Sequence, residues 1–151
     1  MFHVALWEPE IPPNTGNVAR LCAATGAELH LIGRLGFRLD DRSLRRAGLD
    51  YWREVTLHRH ASLQEFEAAF EGRRLFCFSA HASTAYTQAA FQPGDGLLFG
   101  GESHGLPRGV VERYAGRAFR IPMPTGKVRS LNLATAVGIV LYEALRQARA
   151  W

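Results

Sequence analysis

Short apolar runs alternate with segments of helical periodicity along this 151-residue chain. Apolar runs at residues 2–7, 28–32, 75–78, 96–99 and 117–121 predict strands, and residues 54–58 predict one more short strand. Helical spacing marks the segments near residues 14–26, 63–70, 107–114 and 133–145. Repeated strand–helix alternation is typical of a mostly parallel sheet flanked by helices, so we predict a single α/β domain over residues 1–151.

Residues with special backbone preferences mark the expected helix ends. Gly26 follows the first helix and is expected to close it. Ser62 and Glu65 match a capping box at the start of the second helix. Pro107 stands at the expected first position of the third helix. Asn14 and Asn17 bracket the start of the first helix, where simple capping is the alternative to a functional role.

The segment at residues 121–145 combines a strand end, a proline-containing loop and a helix start. Pro122 and Pro124 interrupt the strand because proline cannot donate to a sheet ladder. Ser130 or Asn132 is expected to cap the apolar helix that follows. Backbone amides at such a helix start suit the binding of a polar head group.

A glycine-rich loop at residues 99–107 is the second candidate site. Gly100, Gly101 and Gly105 permit close backbone approach and positive φ. Glu102 can accept hydrogen bonds from a ligand, and the alternative is a tight turn in which Glu102 caps a helix. The loop is not G-x-G-x-x-G, so it lacks the nicotinamide-binding fingerprint.

The charge balance is basic, with 18 Lys and Arg against 14 Asp and Glu and a pI of about 9.6. A basic pI favours a nucleic-acid partner without establishing one. Arginines are interleaved with aromatic residues in one segment, which can contact phosphates and stack on bases. The alternative is a solvated face with core aromatics. The segment contains Arg38, Arg42, Arg45, Arg46, Arg53, Phe37, Tyr51 and Trp52.

Several classes of protein are disfavoured. Cys22 and Cys77 are isolated in apolar segments, which indicates buried, reduced thiols in a cytoplasmic protein. The six histidines form no i, i+4 pair, so we expect no metal site, and we expect His58 and His60 to be solvated. No apolar run reaches the length of a membrane span, and the first residues do not read as a signal peptide.

Three motifs occur in a fixed order and together carry a resemblance. They are N-x-G-N-x-x-R at residues 14–20, F-G-x-E-x-x-G-L at residues 99–106, and I-P-M followed by S-L-N-L-A within residues 121–134. The chain resembles the SpoU branch of the SPOUT superfamily of RNA methyltransferases. The resemblance implies methyl transfer from S-adenosylmethionine to a ribose 2′-hydroxyl, leaving S-adenosylhomocysteine. It also implies an α/β fold with a C-terminal trefoil knot, an exception to the usual unknotted topology.

Two further stretches resemble the tRNA wobble-nucleoside 2′-O-methyltransferases. They are W-E-P-E-I-P-P-N-T-G-N at residues 7–17 and L-R-R-A-G-L-D-Y at residues 44–51. This likeness implies that the substrate is the tRNA anticodon stem-loop, modified at a cytidine or modified uridine, without a separate RNA-binding domain. It also implies a homodimer in which each active site is built from both chains.

The resemblance assigns roles to individual residues. Arg20 of the partner chain would meet the 2′-hydroxyl, supported by Asn17 and Asn132. Free arginine is protonated at neutral pH, so either Arg20 is perturbed or it orients the hydroxyl while another group takes the proton. The residues that would line the cofactor, largely through backbone groups, are Phe78, Ser79, Gly100, Glu102, Ile121, Met123, Ser130 and Leu131. No metal is implied.

Three rival functions remain at this stage. A ribosomal RNA 2′-O-methyltransferase would share the same motifs and differ in the RNA that accepts the methyl group. A non-catalytic RNA-binding protein of the same fold would have no need for both the glycine loop and the Ser130–Asn132 segment. A flavodoxin-like nucleotide-binding domain is disfavoured because the phosphate-loop signature is absent.

Overall fold

The computed structural model describes residues 1–40, 42, 51–149 and 151. Within these residues six strands form one sheet in the order β3-β2-β1-β5-β4-β6. The strands are β1 (His3–Trp7), β2 (Glu28–Ile32), β3 (Leu57–His60), β4 (Leu75–Phe78), β5 (Gly96–Gly100) and β6 (Ala118–Phe119). Every neighbouring pair is parallel, which confirms the predicted sheet and brings all six carboxyl ends to one edge.

Helices cover both faces of the sheet. They are α1 (Pro12–Thr25), α2 (Leu63–Ala69), α3 (Arg108–Arg113) and α4 (Leu133–Gln147). Side chains of β1 alternate between the faces, as a pleated strand requires. Val4 and Leu6 belong to the core beneath α1 and α4. Ala5 belongs to the second core, which α2 and α3 cover. The predicted α/β layering is therefore confirmed.

The apolar stripe of α4 is buried within its own chain. Val137, Val140, Leu141 and Ala144 are fully buried in the core that α1 shares. Asn132 caps the helix by accepting a hydrogen bond from the Thr135 N–H at 3.1 Å. Of the two expected caps, Asn132 is the one the structure uses.

Two other predicted helix ends are confirmed. The Ser62 hydroxyl accepts from the Glu65 N–H at 3.1 Å, and the Glu65 carboxylate accepts from the Ala61 N–H. The capping box is therefore present, although its carboxylate reaches one residue further back than in the standard motif. Gly26 ends α1 with φ of 78° and donates its N–H to the Cys22 carbonyl.

Four predicted boundaries are wrong. The expected strand at residues 54–58 lies at Leu57–His60, because Trp52–Glu54 form a 3₁₀ turn. The last strand is confined to Ala118–Phe119, and Arg120 makes only an isolated bridge to Ala85. Pro107 is the N-cap of α3 with an extended ψ of 143°, so the helix begins one residue later. The first helix begins at Pro12, ahead of both asparagines.

A chain of imidazoles crosses the sheet face beneath α2. His3 Nδ1 lies 3.0 Å from His30 Nε2, and His30 Nδ1 lies 2.9 Å from His60 Nε2. Arg73 Nη1 lies 3.1 Å from His3 Nε2. Because arginine only donates, His3 Nε2 must accept its hydrogen bond, and the His3 proton is therefore on Nδ1. His3 Nδ1–H donates to His30 Nε2, and His30 Nδ1–H in turn donates to His60 Nε2. His58 ends the cluster with a 2.7 Å contact to Glu28.

The expectation that His58 and His60 are solvated is met only in part, because the His58 side chain is 41% exposed but both rings also make polar contacts within the protein. Both rings are half-buried, and parallel strands align them beside His30. Burial lowers the pKa of His30 to about 3 and also lowers the pKa values of His3 and His60. Within the described residues, no group of three or more His, Cys, Asp or Glu side chains is arranged to hold a metal ion.

Both cysteines are free and buried, as expected. Burial raises the pKa of Cys22 and of Cys77 to about 12, so both remain thiols at neutral pH. None of the helices in the described ranges has the length and apolar character needed to cross a bilayer.

Candidate functional site

The loops that carry the three motifs meet at the carboxyl edge of the sheet. β1, β5, β4 and β6 are consecutive neighbours in the sheet, so the segments that follow them lie side by side. In open parallel sheets this edge is where ligands bind. The Ser79 N–H donates to the Phe119 carbonyl at 3.0 Å, which ties the loop after β4 to the end of β6.

The glycine loop folds back onto the strand from which it leaves. A Cβ on Gly100 would lie 2.0 Å from the carbonyl carbon of Gly105, and a Cβ on Gly101 would lie 2.3 Å from the Glu8 oxygen. Gly105 adopts φ of 63° and donates its N–H to the Gly101 carbonyl. The expected close approach and positive φ are confirmed. The atoms that approach Gly100 closely are backbone atoms of Gly105 and Leu106 in the same loop.

Glu102 caps the start of α1 from the neighbouring loop. Its carboxylate accepts from the Glu10 N–H and the Ile11 N–H, both at 2.8 Å, and from Asn14 Nδ2 at 3.1 Å. These backbone amides precede the first turn of α1, where no helical carbonyl is available to them. The alternative reading, that Glu102 caps a helix, is confirmed, and the helix is α1.

Asn14 joins this carboxylate to the last motif. Its side-chain oxygen accepts from Asn132 Nδ2 at 2.9 Å while its own amide donates to Glu102. Asn14 is buried and lies inside α1, so the simple capping role is wrong. The Glu102–Asn14–Asn132 network therefore connects all three motifs through side-chain hydrogen bonds.

A second contact, between Ser103 and Glu10, also joins the glycine loop to the loop after β1. The Ser103 N–H and hydroxyl both donate to the Glu10 carboxylate, at 3.1 and 2.7 Å. These hydrogen bonds lower the pKa of Glu10 below its ordinary value. The loop after β1 and the loop after β5 thus hold each other at two points, through Glu102 and through Ser103.

Aromatic side chains form the floor beneath these loops. Phe78 stacks on Phe99 with ring centroids 4.9 Å apart and also lies beside Phe119. Phe78 is 7% exposed, so its side chain belongs mainly to the core. Ile121 packs against the same core, Met123 and Leu131 are half-buried, and Ser130 is exposed.

Arg20 and Asn17 lie on the exposed side of α1. Arg20 Nη2 donates to the Tyr51 hydroxyl at 3.1 Å, and the guanidinium carbon lies 4.6 Å from the centre of the Tyr51 ring. Hydrogen bonds among the described residues do not join Arg20 to the Glu102–Asn14–Asn132 network. The structure thus joins Glu102 to Asn132 through Asn14 and gives Arg20 a different partner, Tyr51.

The described arginines of the basic segment are exposed. Arg38, Arg42 and Arg53 are exposed, whereas Phe37 and Trp52 are half-buried. Arg45 and Arg46 lie outside the described residues. The basic segment therefore presents cations to solvent while two of its three aromatic residues pack inward.

Sequence reasoning missed the role of Asn14 and the partner of Arg20. Asn14 and Asn132 are separated by 118 residues, and Arg20 and Tyr51 by 31, so no local pattern reports either contact. The one sequence feature that could have indicated a role for Asn14 is its place as the first residue of the motif at residues 14–20.

The fold and the site define a class, the α/β proteins that bind ligands with loops at the carboxyl edge of a parallel sheet. The model of the SpoU rRNA Methylase family matches residues 1–142. The chain belongs to this family of methyltransferases.

Individual relatives cover nearly the whole chain. A tRNA (cytidine(34)-2′-O)-methyltransferase of Burkholderia pseudomallei is 50% identical, covering 98% of this chain and 96% of its own. A structure solved to give insight into the 2-OH methylation of C/U34 on tRNA has a TM-score of 0.92 and 52% identity, covering 100% of this chain and 98% of its own. The Streptomyces viridochromogenes SpoU methyltransferase AviRb, solved with the cofactor AdoMet, has a TM-score of 0.80 and 27% identity, covering 99% of this chain and 61% of its own.

Proposed function

We propose that this chain transfers a methyl group from S-adenosylmethionine to the ribose 2′-hydroxyl of nucleoside 34 of tRNA, leaving S-adenosylhomocysteine. The carrying observation is the 50% identity, over 98% of the chain, to a tRNA (cytidine(34)-2′-O)-methyltransferase. The Glu102–Asn14–Asn132 network supports it, because it assembles the three motifs into one surface. The acceptor is a cytidine or a modified uridine in the anticodon stem-loop, and the enzyme acts in the cytoplasm.

The residues at the carboxyl edge fit the cofactor. Ile121, Met123 and Leu131 offer half-buried apolar surface for an adenine ring. None of the eight side chains assigned to the cofactor is cationic, so none opposes a positive sulfonium. Backbone groups at Phe78, Gly100 and Ser130 would hold its polar parts. When bound, the cofactor supplies a methyl carbon that is already electrophilic.

Arg20 would act on the acceptor nucleoside. Its planar guanidinium presents several donors and can hold the 2′-hydroxyl and a neighbouring phosphate together. Asn17 lies one turn earlier on the same helix and would support that contact, and Asn132 is fixed by Asn14 at the edge. Alignment of the hydroxyl with the methyl carbon would supply much of the acceleration.

Replacement of Arg20 tests this role. Arg20→Ala should abolish methyl transfer while cofactor affinity, measured by calorimetry, stays within about threefold, since a positioned proton-transfer group contributes about 10²–10⁴-fold. An Arg20→Ala enzyme with undiminished activity would refute the role.

The active site is completed by a second copy of the chain. The apolar stripe of α4 is used by its own core, so it carries no argument for a dimer. Two exposed aromatic residues support one instead: Tyr142 and Trp151 are 44% and 71% exposed, and their ring centroids lie 5.8 Å apart. Exposed aromatic pairs are enriched at interfaces. The trefoil knot implied by the family resemblance remains part of this proposal.

Complementation tests the shared site. Arg20→Ala chains and Gly100→Ala chains should each be inactive alone. Mixed and refolded together, they should regain transfer, because one of the two sites in a mixed dimer holds an intact Arg20 and an intact cofactor loop. No recovery, with mixed dimers demonstrated by mass, would place Arg20 in the same chain's site.

The substrate is tested by transfer of labelled methyl groups into unmethylated tRNA, followed by nucleoside mapping. Label in 2′-O-methylated nucleoside 34 is the expected result. The family description favours one alternative, since it names ribosomal RNA. Label in ribosomal RNA supplied in parallel, and none in tRNA, would move the substrate to that alternative. Cofactor binding without transfer to either RNA would leave a non-catalytic RNA-binding protein.

A further inference from the structure

Arg20 needs a second fixed point if it is to hold a ribose hydroxyl in one place. Its Cα is well placed, because Glu102 and Asn14 hold the start of α1 to the carboxyl edge. Its side chain is exposed, so water leaves several rotamers open to it. Long exposed arginine side chains lose much conformational freedom when they are ordered. A contact that orders this side chain before the substrate binds would therefore accelerate the reaction.

Tyr51 provides two constraints on the Arg20 guanidinium. The hydroxyl accepts the Nη2 proton at 3.1 Å, which fixes one edge of the group. The ring lies 4.6 Å from the guanidinium carbon, which covers one face. Arginine has five N–H donors, and Tyr51 uses one of them. The remaining edge is left for a hydroxyl and a phosphate.

The backbone of Tyr51 is itself held. It is the N-cap of the 3₁₀ turn Trp52–Glu54, and its carbonyl accepts from the Glu54 N–H at 2.9 Å. Val55, at the end of that turn, packs against the main core. Tyr51 is 37% exposed, so its side chain lies at the surface while its backbone is held by the turn.

We propose that Tyr51 is a positioning residue for Arg20: it orders the guanidinium for the acceptor nucleoside and does not itself touch the reacting atoms. This inference rests on the proposed function, specifically on the role of Arg20 in methyl transfer. Tyr51 acts on the step of transfer. It adds little to the binding of either substrate, so its loss lowers kcat and leaves KM unchanged.

Two substitutions separate the constraints. Tyr51→Phe removes the hydroxyl and keeps the ring, and Tyr51→Leu removes both. Single-turnover transfer at saturating tRNA should fall by about fivefold in the first and about thirtyfold in the second, as expected for an exposed hydrogen bond and cation–π contact. Affinities for S-adenosylmethionine and tRNA should stay within about twofold.

Tyr114→Phe is the matched control. It also removes a tyrosine hydroxyl that is hydrogen-bonded, in this case to Glu67 between α3 and α2. Its transfer rate should equal that of the wild type. Arg20→Lys supplies the coupling test, because lysine lacks the planar fork that Tyr51 holds. In that background Tyr51→Phe should cost less than twofold.

A spectroscopic readout does not depend on activity. The Arg20 Nε–H signal in the NMR spectrum of the free protein, assigned by its loss in Arg20→Lys, should be shielded by the Tyr51 ring. It should move downfield in Tyr51→Leu and stay in place in Tyr114→Phe. An unmoved signal overturns the proposal, as does wild-type transfer by Tyr51→Leu.

Other outcomes are equally decisive. A rate that higher tRNA concentrations restore would make Tyr51 an RNA contact, and a fall in cofactor affinity would make it structural. Either result overturns the positioning role. An active Arg20→Ala enzyme would instead show that the proposed function of Arg20 fails, whatever the Tyr51 variants do.

Discussion

This protein contains two polar networks, one in the loops at the carboxyl edge of the sheet and one across a face of the sheet, and they are built from different chemistry. At the carboxyl edge, Glu102, Asn14 and Asn132 are joined by amide and carboxylate hydrogen bonds whose donors and acceptors are fixed. Beneath α2, His3, His30 and His60 form a chain in which each ring must carry one proton on a set nitrogen. The first network has donors and acceptors set by amide chemistry, and the second is disrupted when acid protonates its buried imidazoles.

The difference shows where each kind of side chain is useful. A site that must bind a charged cofactor gains from hydrogen bonds whose donors and acceptors are in place before the cofactor arrives. Protonation of His30 adds an N–H at Nε2, which faces the Nδ1–H of His3. Two donors would then face each other, so acid disrupts the histidine chain. Four substitutions or conditions test this contrast, from the largest expected effect to the smallest.

Gly100→Ala should cause the largest change. The new Cβ would overlap Gly105 and Leu106 backbone atoms at 2.0–2.2 Å, so the loop must move. We expect loss of S-adenosylmethionine binding and a destabilisation of about 3 kcal/mol or more, measured by denaturant unfolding. Gly109→Ala is the control: it has open space and lies in α3, so it should be neutral or stabilising. Unchanged cofactor affinity in Gly100→Ala would contradict the expected loop geometry.

Glu102→Ala should break the edge network. Two backbone amides at the start of α1 and the Asn14 amide lose their acceptor. Unsatisfied groups of this kind cost about 1–3 kcal/mol each where they are buried, and water will compensate part of the loss, so we expect about 2–3 kcal/mol in total. Glu112→Ala, exposed on α3, should change the free energy of unfolding by less than about 0.5 kcal/mol. Equal stability of the two variants would refute the capping role.

Acid should act on the histidine chain. The pKa of His30 is lowered from 6.5 to about 3, so below pH 6.5 the unfolded chain takes up a proton that the folded chain refuses. The contribution of neutral His30 to the free energy of unfolding is therefore fully present above pH 6.5 and is lost as the pH drops toward 3. Each such imidazole contributes a slope of at most about 1.4 kcal/mol per pH unit.

Unfolding measured between pH 6.5 and 5 isolates this effect. The pKa values of Glu10, Glu28 and Glu143 are lowered below 4.5 by their hydrogen bonds, so these carboxylates stay ionised in that window. His30→Gln should flatten the slope. His81→Gln, at an exposed position, should keep it. A His30→Gln protein with the wild-type slope would contradict the assignment.

Ser62→Ala should have the smallest effect, because it touches neither network. The hydroxyl caps α2 by accepting from the Glu65 N–H. Loss of such a cap costs about 1 kcal/mol. Cofactor binding and methyl transfer at saturating substrate should not change. A loss of cofactor affinity in this variant would mean that α2 is coupled to the edge after all.

The sequence predicted those parts of the fold that depend on local pattern. Apolar runs identified the strands, and Gly26, Ser62 and Asn132 marked helix ends, because capping uses residues three or four positions apart. Boundaries failed where a turn or an isolated bridge competed, as at Glu54 and Arg120.

Contacts between distant segments were not predictable in the same way. The capping of α1 by Glu102 joins positions 92 residues apart, and the histidine chain depends on the pairing of β2 with β3, which brings His60 beside His30. Local periodicity contains no information on register between strands. The family resemblance supplied the candidate site, and the structure added the hydrogen bonds that hold it together.

The central position of β1 has a consequence for how the chain folds during synthesis. β1 leaves the ribosome well before one of its two neighbours, β5, whose pairing begins at Gly96. Translation at about 5–20 residues per second delays that pairing by about 5–20 s. Until then β1 has an unpaired edge and α1 lacks its Glu102 cap. Long-range pairing of this kind slows folding, so one edge of β1 stays open to pairing with other strands until β5 is made.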